Sequence, residues 1–197
     1  MNLNHRSRLC TRCTKVQGVT LIELLVVIAI VGILAVLAVP SFQETIVRNR
    51  MAAQSNEFLT ALNFARSEAI KRGNSVTLCR SSDGSSCAAS GGWEAGWLAF
   101  SDSNGNGTLN TGEVIVRVWP ALSADFSLRA GSGIDGNIRY DARGMAQNTG
   151  HLLLCKGSQI NGARALVVTA ARPRVTYTGD KTPPVNDAGT SYTSCTP

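Results

Sequence analysis

The chain has 197 residues, of which 44% are hydrophobic and 16% charged, and its 19 lysines and arginines against 13 acidic residues give a formal charge of +6. This balance excludes a disordered, highly charged chain, and the length allows one domain of ordinary size with an appendage. Because the sequence has only two histidines, His5 and His151, it also excludes a histidine-rich metal centre.

The N-terminal end combines a basic leader with a long apolar run. Residues 1–18 contain four cations and no acid, and residues 19–39 contain one ionisable side chain, that of Glu23. A helix over these 21 residues is about 31 Å long, which is enough to cross the hydrocarbon core of a bilayer. We therefore predict a single transmembrane helix over 19–39, with the leader in the cytoplasm and the rest of the chain on the far side of the membrane.

Two other interpretations of this run are a buried core helix and a cleaved secretory signal. A core helix rarely presents apolar residues on every face for six turns. A secretory signal has a shorter apolar region that ends in an A-x-A-like site, whereas this run ends in Ala38-Val39-Pro40. The membrane helix is therefore the preferred interpretation.

Glu23 is the most informative residue of the run. A charged side chain at the centre of a bilayer costs about 2.5–3.5 kcal/mol on insertion scales, so such a group is a functional candidate that needs a partner. If the chain is cut after Gly18, the new α-amino group of Val19 can serve as that partner, and geometry favours the amine of a neighbouring subunit. A buried pair of this kind favours register and assembly more than stability.

The basic leader, Gly18, the stretch V-T-L-I-E-L-L and Pro40 resemble the class III prepilin signal of type IV pilins and type II secretion pseudopilins. The resemblance implies that a prepilin peptidase cleaves between Gly18 and Val19, that the new N-terminus is methylated, and that Glu23 is the family's fifth-position glutamate, which acts in assembly. It also implies the bacterial inner membrane as location, a periplasmic domain, and other pilins as filament partners. Val19 stands where phenylalanine is usual in the family. This departure is expected to slow methylation but not to prevent cleavage.

The helical pattern continues beyond the apolar run, over residues 40–73. Apolar residues recur there at a 4-3-4 spacing typical of one helix face: Phe58, Leu62, Ala65 and Ala69. Gly73 follows two cations and predicts the C-terminal end of the helix. The second half of the helix is therefore predicted to pack one stripe on a folded domain.

Residues 74–178 contain eight short β-rich runs separated by Gly, Ser, Asn and Asp. They are Val76–Arg80, Trp97–Ser101, Val114–Trp119, Phe126–Arg129, Ile138–Asp141, Leu152–Lys156, Ala165–Thr169 and Val175–Thr178. We predict an α+β fold in which the long N-terminal helix packs on an antiparallel β-domain of seven or eight strands. Residues 179–197 are polar and predict a loop-like tail.

Three later stretches narrow the resemblance: Gly96–Phe100, Asp102–Glu113 and Ile138–Gly144. In this order they resemble the GspH/FimT group of minor pilins and pseudopilins. The resemblance implies a type IV pilin-like fold and a structural subunit of a type IV pilus or a type II secretion pseudopilus, found at the filament or its tip after assembly. The chain has no G-x-S-x-G, H-E-x-x-H or P-loop motif, so we predict neither an enzyme nor a cofactor.

Six cysteines fall into two groups. Cys10 and Cys13 form a C-x-x-C in the leader, without the second pair or the βαβ context that a redox or zinc site needs. The other four, which would face an oxidising compartment, allow three pairings: Cys79, Cys87, Cys155 and Cys195. We favour Cys79–Cys87, which would close a short loop, and Cys155–Cys195, which would tie the tail to a strand.

The stretch from Asp102 to Glu113 fits the written pattern of a calcium-binding EF-hand loop. Asp102, Asn104, Asn106 and Glu113 are the candidate oxygen ligands. The flanks, however, predict strands rather than helices, and Asn and Gly also suit an ordinary hairpin loop. We therefore favour the hairpin and keep calcium as a weak alternative.

The charges of the predicted β-domain are unevenly distributed. Residues 73–138 carry three cations and six acids, whereas residues 139–181 carry seven cations and two acids. Within the basic part, Ala171-Arg172-Pro173-Arg174 resembles the G-R-x-R motif with which FimT-type pilins bind DNA during natural transformation, although Ala171 replaces the glycine. DNA is therefore a candidate partner, with Arg172, Arg174, Arg164 and Lys181 as candidate contacts. The alternative is that these are solvated cations or contacts to acids of neighbouring pilins.

Overall fold

A computed structural model describes residues 18–195 except 132, 135, 178, 180, 181 and 186–189, and it leaves out the side chains of residues 37 and 39–41. The leader up to residue 17 and the candidate contact Lys181 therefore lie outside the described residues. The chain divides into two units, Met1–Thr45 and Ile46–Pro197.

The first unit contains the N-terminal part of helix α1, which runs over Leu21–Arg72. Residues 18–20 precede it without regular structure. The apolar side chains of the described positions from Val19 to Val36 are exposed in the isolated chain. Among the described residues, no helical stretch meets the combination of length and hydropathy required of a membrane span.

The second part of α1 packs on the folded unit through the predicted stripe. Phe58, Leu62, Ala65 and Ala69 are at most 1% exposed, as the 4-3-4 spacing predicts. The helix ends in a Schellman arrangement: Gly73 has a φ of 63°, its N–H donates to Ile70, and the N–H of Asn74 donates to Ala69. The predicted stop at Gly73 is therefore correct, and its cause is the left-handed backbone that glycine adopts at low cost.

Eight strands follow the helix, as predicted, but they form two antiparallel sheets. The strands are β1 (Val76–Arg80), β2 (Trp97–Ser101), β3 (Ile115–Trp119), β4 (Phe126–Ala130), β5 (Asn137–Tyr140), β6 (Gly150–Lys156), β7 (Gln159–Val168) and β8 (Pro173–Thr176). The first sheet has the order β3-β2-β1-β5 and the second the order β4-β6-β7-β8. Strand β7 begins at Gln159 rather than at the predicted Ala165, so it is longer than the sequence suggested.

The main core lies between α1 and the inner faces of both sheets. Phe58 of the helix places its ring edge-on to Trp93 and Trp97, with ring centroids 5.4 and 5.0 Å apart. A single-turn 3-10 helix, Trp93–Ala95, directly precedes β2 of the first sheet. Its Glu94 carboxylate accepts a hydrogen bond from the N–H of Leu128 and pairs with Arg129, both in β4 of the second sheet, so this short helix connects the two sheets. The fold is therefore an α+β arrangement with one shared hydrophobic core.

A second, smaller cluster lies on the outer face of the second sheet. Its buried members are Leu153, Cys155, Ala163, Ala165 and Cys195, with Ile160 and Tyr192 packed against them. Two of these residues, Tyr192 and Cys195, belong to the segment that the sequence predicted to be a polar tail. The described part of that segment therefore covers one face of the sheet.

Candidate functional site

The predicted processing site lies immediately before the first turn of α1. Gly18 and Val19 are outside the helix, and Thr20 caps it, because the N–H of Glu23 donates to Thr20 Oγ1 over 3.3 Å. Thr20 and Glu23 have the T-x-x-E spacing of a capping box, and an acid in the first turn also interacts favourably with the helix dipole. The sequence reasoning assigned Glu23 to assembly and missed this capping role, although the spacing was available.

The candidate DNA contacts Arg172 and Arg174 lie at the end of the second sheet where β7 turns into β8. Both are exposed. The turn at 169–172 is held by Thr169, whose hydroxyl donates to the Arg172 carbonyl over 2.7 Å and accepts from the Arg172 N–H over 3.2 Å. Arg172 is thus presented by a fixed turn, and Arg174 by β8, which is an edge strand of its sheet.

The structure does not bring Arg164 to the same face as Arg174. Arg174 pairs with Val167, and Ala165 with Thr176, so alternation along β7 places Arg164 with Leu166 on the opposite face of the sheet. The Arg164 guanidinium lies over the ring of Tyr177, 4.5 Å from the centroid. The predicted set is therefore divided between two faces, because sequence distance along a strand does not report which side a residue faces.

A second turn lies beside the one that carries Arg172. Residues 145–148 join the two sheets, because the N–H of Gln147 donates to Arg139 of β5 and the N–H of Ala146 donates to Ala170 over 2.9 Å. The turn at 141–145 precedes this segment and carries Arg143. From the sequence, Arg143 belongs to the basic region, but no local pattern shows that the segment after its turn lies beside the turn of Arg172.

The four cysteines of the folded unit form the two favoured pairs. Cys79 and Cys87 are bonded with a Cα–Cα separation of 5.7 Å, and Cys155 and Cys195 with 6.1 Å. The first pair closes the loop that follows β1, where Arg80 also donates to three carbonyl oxygens of that loop. The second pair fastens the C-terminal segment to β6.

The calcium-like loop uses its oxygens to hold itself together. Asp102 is fully buried, and its carboxylate accepts hydrogen bonds from the Thr77 hydroxyl and from the N–H groups of Asn106 and Gly107. Glu113 accepts from the N–H groups of Ser103 and Asn110. Within the described residues no group of three or more acidic, cysteine or histidine side chains is arranged to hold a metal. The geometry therefore favours the hairpin interpretation.

Comparison with known proteins decides the family. A family model described as type II transport protein GspH matches residues 54–186, more than half of the chain. The chain belongs to the GspH family. A second model, the prokaryotic N-terminal methylation motif, matches residues 13–39.

Two solved structures resemble this GspH-family chain, and both are crystal forms of the type IV minor pilin FimU of Pseudomonas aeruginosa. One has a TM-score of 0.54 at 18% identity and covers 75% of this chain and 96% of FimU. The other has a TM-score of 0.50 at 17% identity, with coverage of 73% and 98%. At this identity the likeness shows the fold, a long helix on antiparallel sheets. No curated protein matches the chain significantly.

These findings identify a member of the type IV minor pilin and pseudopilin family. The GspH family consists of structural pilin subunits rather than enzymes. Such subunits assemble with other pilins into filaments, so the surfaces that matter for function are those that contact partners.

Proposed function

We propose that this protein is a minor pilin or pseudopilin held in the bacterial inner membrane by the apolar N-terminal part of α1, with residues 46–197 in the periplasm. After removal of the leader, the chain enters the filament of a type IV pilus or a type II secretion pseudopilus. The observation that carries the proposal is the register of the N-terminal signal: Gly18 and Val19 precede the helix, and Glu23 lies in its first turn.

Two further observations support this proposal. The apolar side chains from Val19 to Val36 are exposed in the isolated chain, and a patch of this size requires lipid or other apolar helices around it. The two disulfides of the folded unit are of the kind that persists in an oxidising compartment such as the periplasm.

The N-terminus of the native protein tests the proposal. Mass spectrometry of protein isolated from its own host is expected to show a chain that begins at Val19, with an added methyl group. Gly18→Arg is expected to leave the leader attached, because the peptidase site is lost, whereas Gly32→Ala, inside the apolar run, is expected to be processed normally. An intact Met1 in the native protein contradicts the proposal.

A second candidate function is favoured by the two exposed arginines of the β7–β8 region. We propose that the protein also binds DNA through Arg172 and Arg174, in the manner of a minor pilin that acts in DNA uptake. A few cations that contact phosphates give weak binding that is independent of sequence and sensitive to salt. The supporting observation is that the fixed turn at 169–172 presents Arg172 to solvent next to the exposed Arg174.

Electrophoretic mobility shift at rising salt tests the second function. The mature full-length chain in detergent is expected to shift a mixed-sequence DNA fragment at low salt. Arg172→Glu combined with Arg174→Glu is expected to abolish the shift because both phosphate contacts become repulsive. An unchanged shift by the double variant contradicts this site.

A further inference from the structure

The turns at 141–145 and 169–172 come from distant parts of the chain and lie at the same end of the second sheet. Strands β6 and β7 pair antiparallel up to Gly150 and Val168, and the hydrogen bond between Ala146 and Ala170 continues this pairing beyond the strands. The segment that follows the turn of Arg143 therefore lies beside the tip of the turn that carries Arg172, from which the chain returns along β8 with Pro173 paired to Val168.

The turn at 141–145 is as firmly held as its neighbour. The Asp141 carboxylate accepts hydrogen bonds from the N–H groups of Arg143 and Met145. Arg66 of α1 donates through Nε to the Gly144 carbonyl over 2.9 Å, which fastens the turn to the helix. The side chain of Arg143 is nevertheless 84% exposed, so its cation is presented by a rigid backbone.

Asp141 orients the guanidinium of Arg143 and leaves part of it able to contact a phosphate. The carboxylate lies against the Nε and Nη2 edge of the guanidinium, at 3.3 and 3.1 Å. Guanidinium carries five N–H donors, so the opposite edge is available for a second anion. The Asp141 side chain is only 19% exposed, and its own charge is engaged by the N–H of Met145, which lowers the pKa of this carboxyl. The surface that this pair exposes to solvent is therefore mostly that of the arginine.

We propose that Arg143 and Arg172 form one phosphate-binding surface that takes duplex DNA in preference to single strands. The inference rests on the proposed DNA-binding function and deepens it, since it adds a residue from a second turn and names the form of the nucleic acid. Two cations fixed on adjacent turns suit a ligand whose phosphates are closely and regularly spaced, and duplex DNA carries one charge per about 1.7 Å of its axis.

The preference for duplex follows from the aromatic side chains. Proteins that bind single strands stack successive bases on aromatic rings. Among the described residues of the folded unit, Tyr177 is the one exposed aromatic residue, and the Arg164 guanidinium lies over its ring. Because the surface offers cations without stacking platforms, it recognises the phosphate backbone rather than the bases.

Fluorescence anisotropy with a mixed-sequence duplex and with one of its strands tests the proposal. The mature full-length chain in detergent is titrated at several salt concentrations, and circular dichroism checks the fold of each variant. We expect Arg143→Gln to weaken duplex binding by about 3- to 10-fold and to reduce the slope of log K against log salt by about one, as the loss of one phosphate contact requires.

Lys156→Gln is the matched control. Lys156 belongs to the same basic part of the sequence and is exposed, but it lies at the opposite end of β6. Its removal changes the net charge equally and is expected to leave duplex affinity within about two-fold. Arg143→Lys keeps the charge and is expected to restore most of the affinity, since a phosphate contact needs a cation more than a particular geometry.

The outcomes separate this inference from the function on which it rests. If Arg172→Gln weakens binding but Arg143→Gln acts like Lys156→Gln, the shared surface is wrong and DNA binding stands. If single strands bind as tightly as the duplex, the duplex preference is wrong. If the wild-type chain binds no DNA at low salt, both the inference and the second proposed function fail.

Discussion

Asp102 is an acid whose buried position has a structural reason. Its carboxylate serves three donors, the Thr77 hydroxyl and the N–H groups of Asn106 and Gly107. In Asp102→Asn the side chain has one acceptor oxygen, so at least one of these donors loses its partner. We expect the free energy of unfolding to fall by about 1–3 kcal/mol, the usual cost of an unsatisfied buried polar group.

Urea denaturation followed by tryptophan fluorescence measures this effect, since Trp93 and Trp97 lie in the main core. Asp125→Asn is the control, because Asp125 is exposed and its change is expected to stay within about 0.5 kcal/mol. Millimolar calcium is expected to leave the midpoint of both proteins unchanged. A calcium-induced increase in the wild type that Asp102→Asn abolishes would support the metal interpretation instead.

His151 predicts a pH dependence of stability. Its ring packs against Tyr192, with centroids 4.6 Å apart, and burial lowers its pKa below the ordinary value of 6.5. The unfolded chain therefore takes up the proton first as the pH falls, so stability decreases below about pH 6.5 and levels off below the folded-state pKa. His151→Gln is expected to remove this decrease between pH 7.5 and 5, as measured by denaturation at each pH. Equal pH slopes in both proteins would show that His151 is not the cause.

The described part of the C-terminal segment acts as an element of the fold even though it contains no strand. The N–H of Tyr192 donates to Pro184, and the Cys155–Cys195 bond holds the segment on the outer face of the second sheet. Loop-closure entropy gives about 3.9 kcal/mol for this long ring and about 2.5 kcal/mol for the Cys79–Cys87 ring. Cys155→Ser with Cys195→Ser is therefore expected to cost more than Cys79→Ser with Cys87→Ser.

Hydrogen exchange distinguishes this effect from a general loss of stability. Without the long ring, we expect a large increase in the exchange rate of β6 and β7, which the segment covers, and a smaller increase in β1 and β2 of the first sheet. The double variant of the short ring is expected to show the reverse. Uniform acceleration over both sheets would mean that the segment contributes only to global stability.

At the scale of elements, the sequence predicted most of the fold because the signals are local. The 4-3-4 stripe, the helix end at Gly73 and the number of strands depend on neighbouring residues, and the structure confirms them. Strand β8 begins at Pro173 rather than at the predicted Val175. The early start of β7 was missed because Gln159–Arg164 contains Asn161-Gly162, a typical turn signal, whereas in the fold the N–H of Gly162 donates to Thr182. The division into two sheets depends on long-range pairing that no local pattern reports.

At the scale of the whole molecule, the candidate site was only partly predictable. The excess of cations in residues 139–181 is a property of the sequence, but which of them share a surface depends on the register between strands. That register separates Arg164 from Arg174, and a hydrogen bond between Ala146 and Ala170 places the segment that follows the turn of Arg143 beside the turn of Arg172. The N-terminal methylation motif could be recognised from the sequence because it lies within one continuous stretch, residues 13–39.

The whole chain is also the scale at which Glu23 can be tested. Glu23→Gln keeps the size of the side chain and removes its charge, so the amine of a neighbouring subunit would lose its buried partner. Breaking a buried ion pair costs about 3–5 kcal/mol, and we therefore expect at least a ten-fold lower amount of the variant in sheared filaments. Cleavage at Gly18 and the amount stored in the membrane are expected to stay unchanged.

Glu44→Gln is the control, because Glu44 lies on the same helix and is exposed, and it is expected to assemble like the wild type. Recovery of Glu23→Gln in filaments at the wild-type level would show that the intersubunit pair is not what assembly requires.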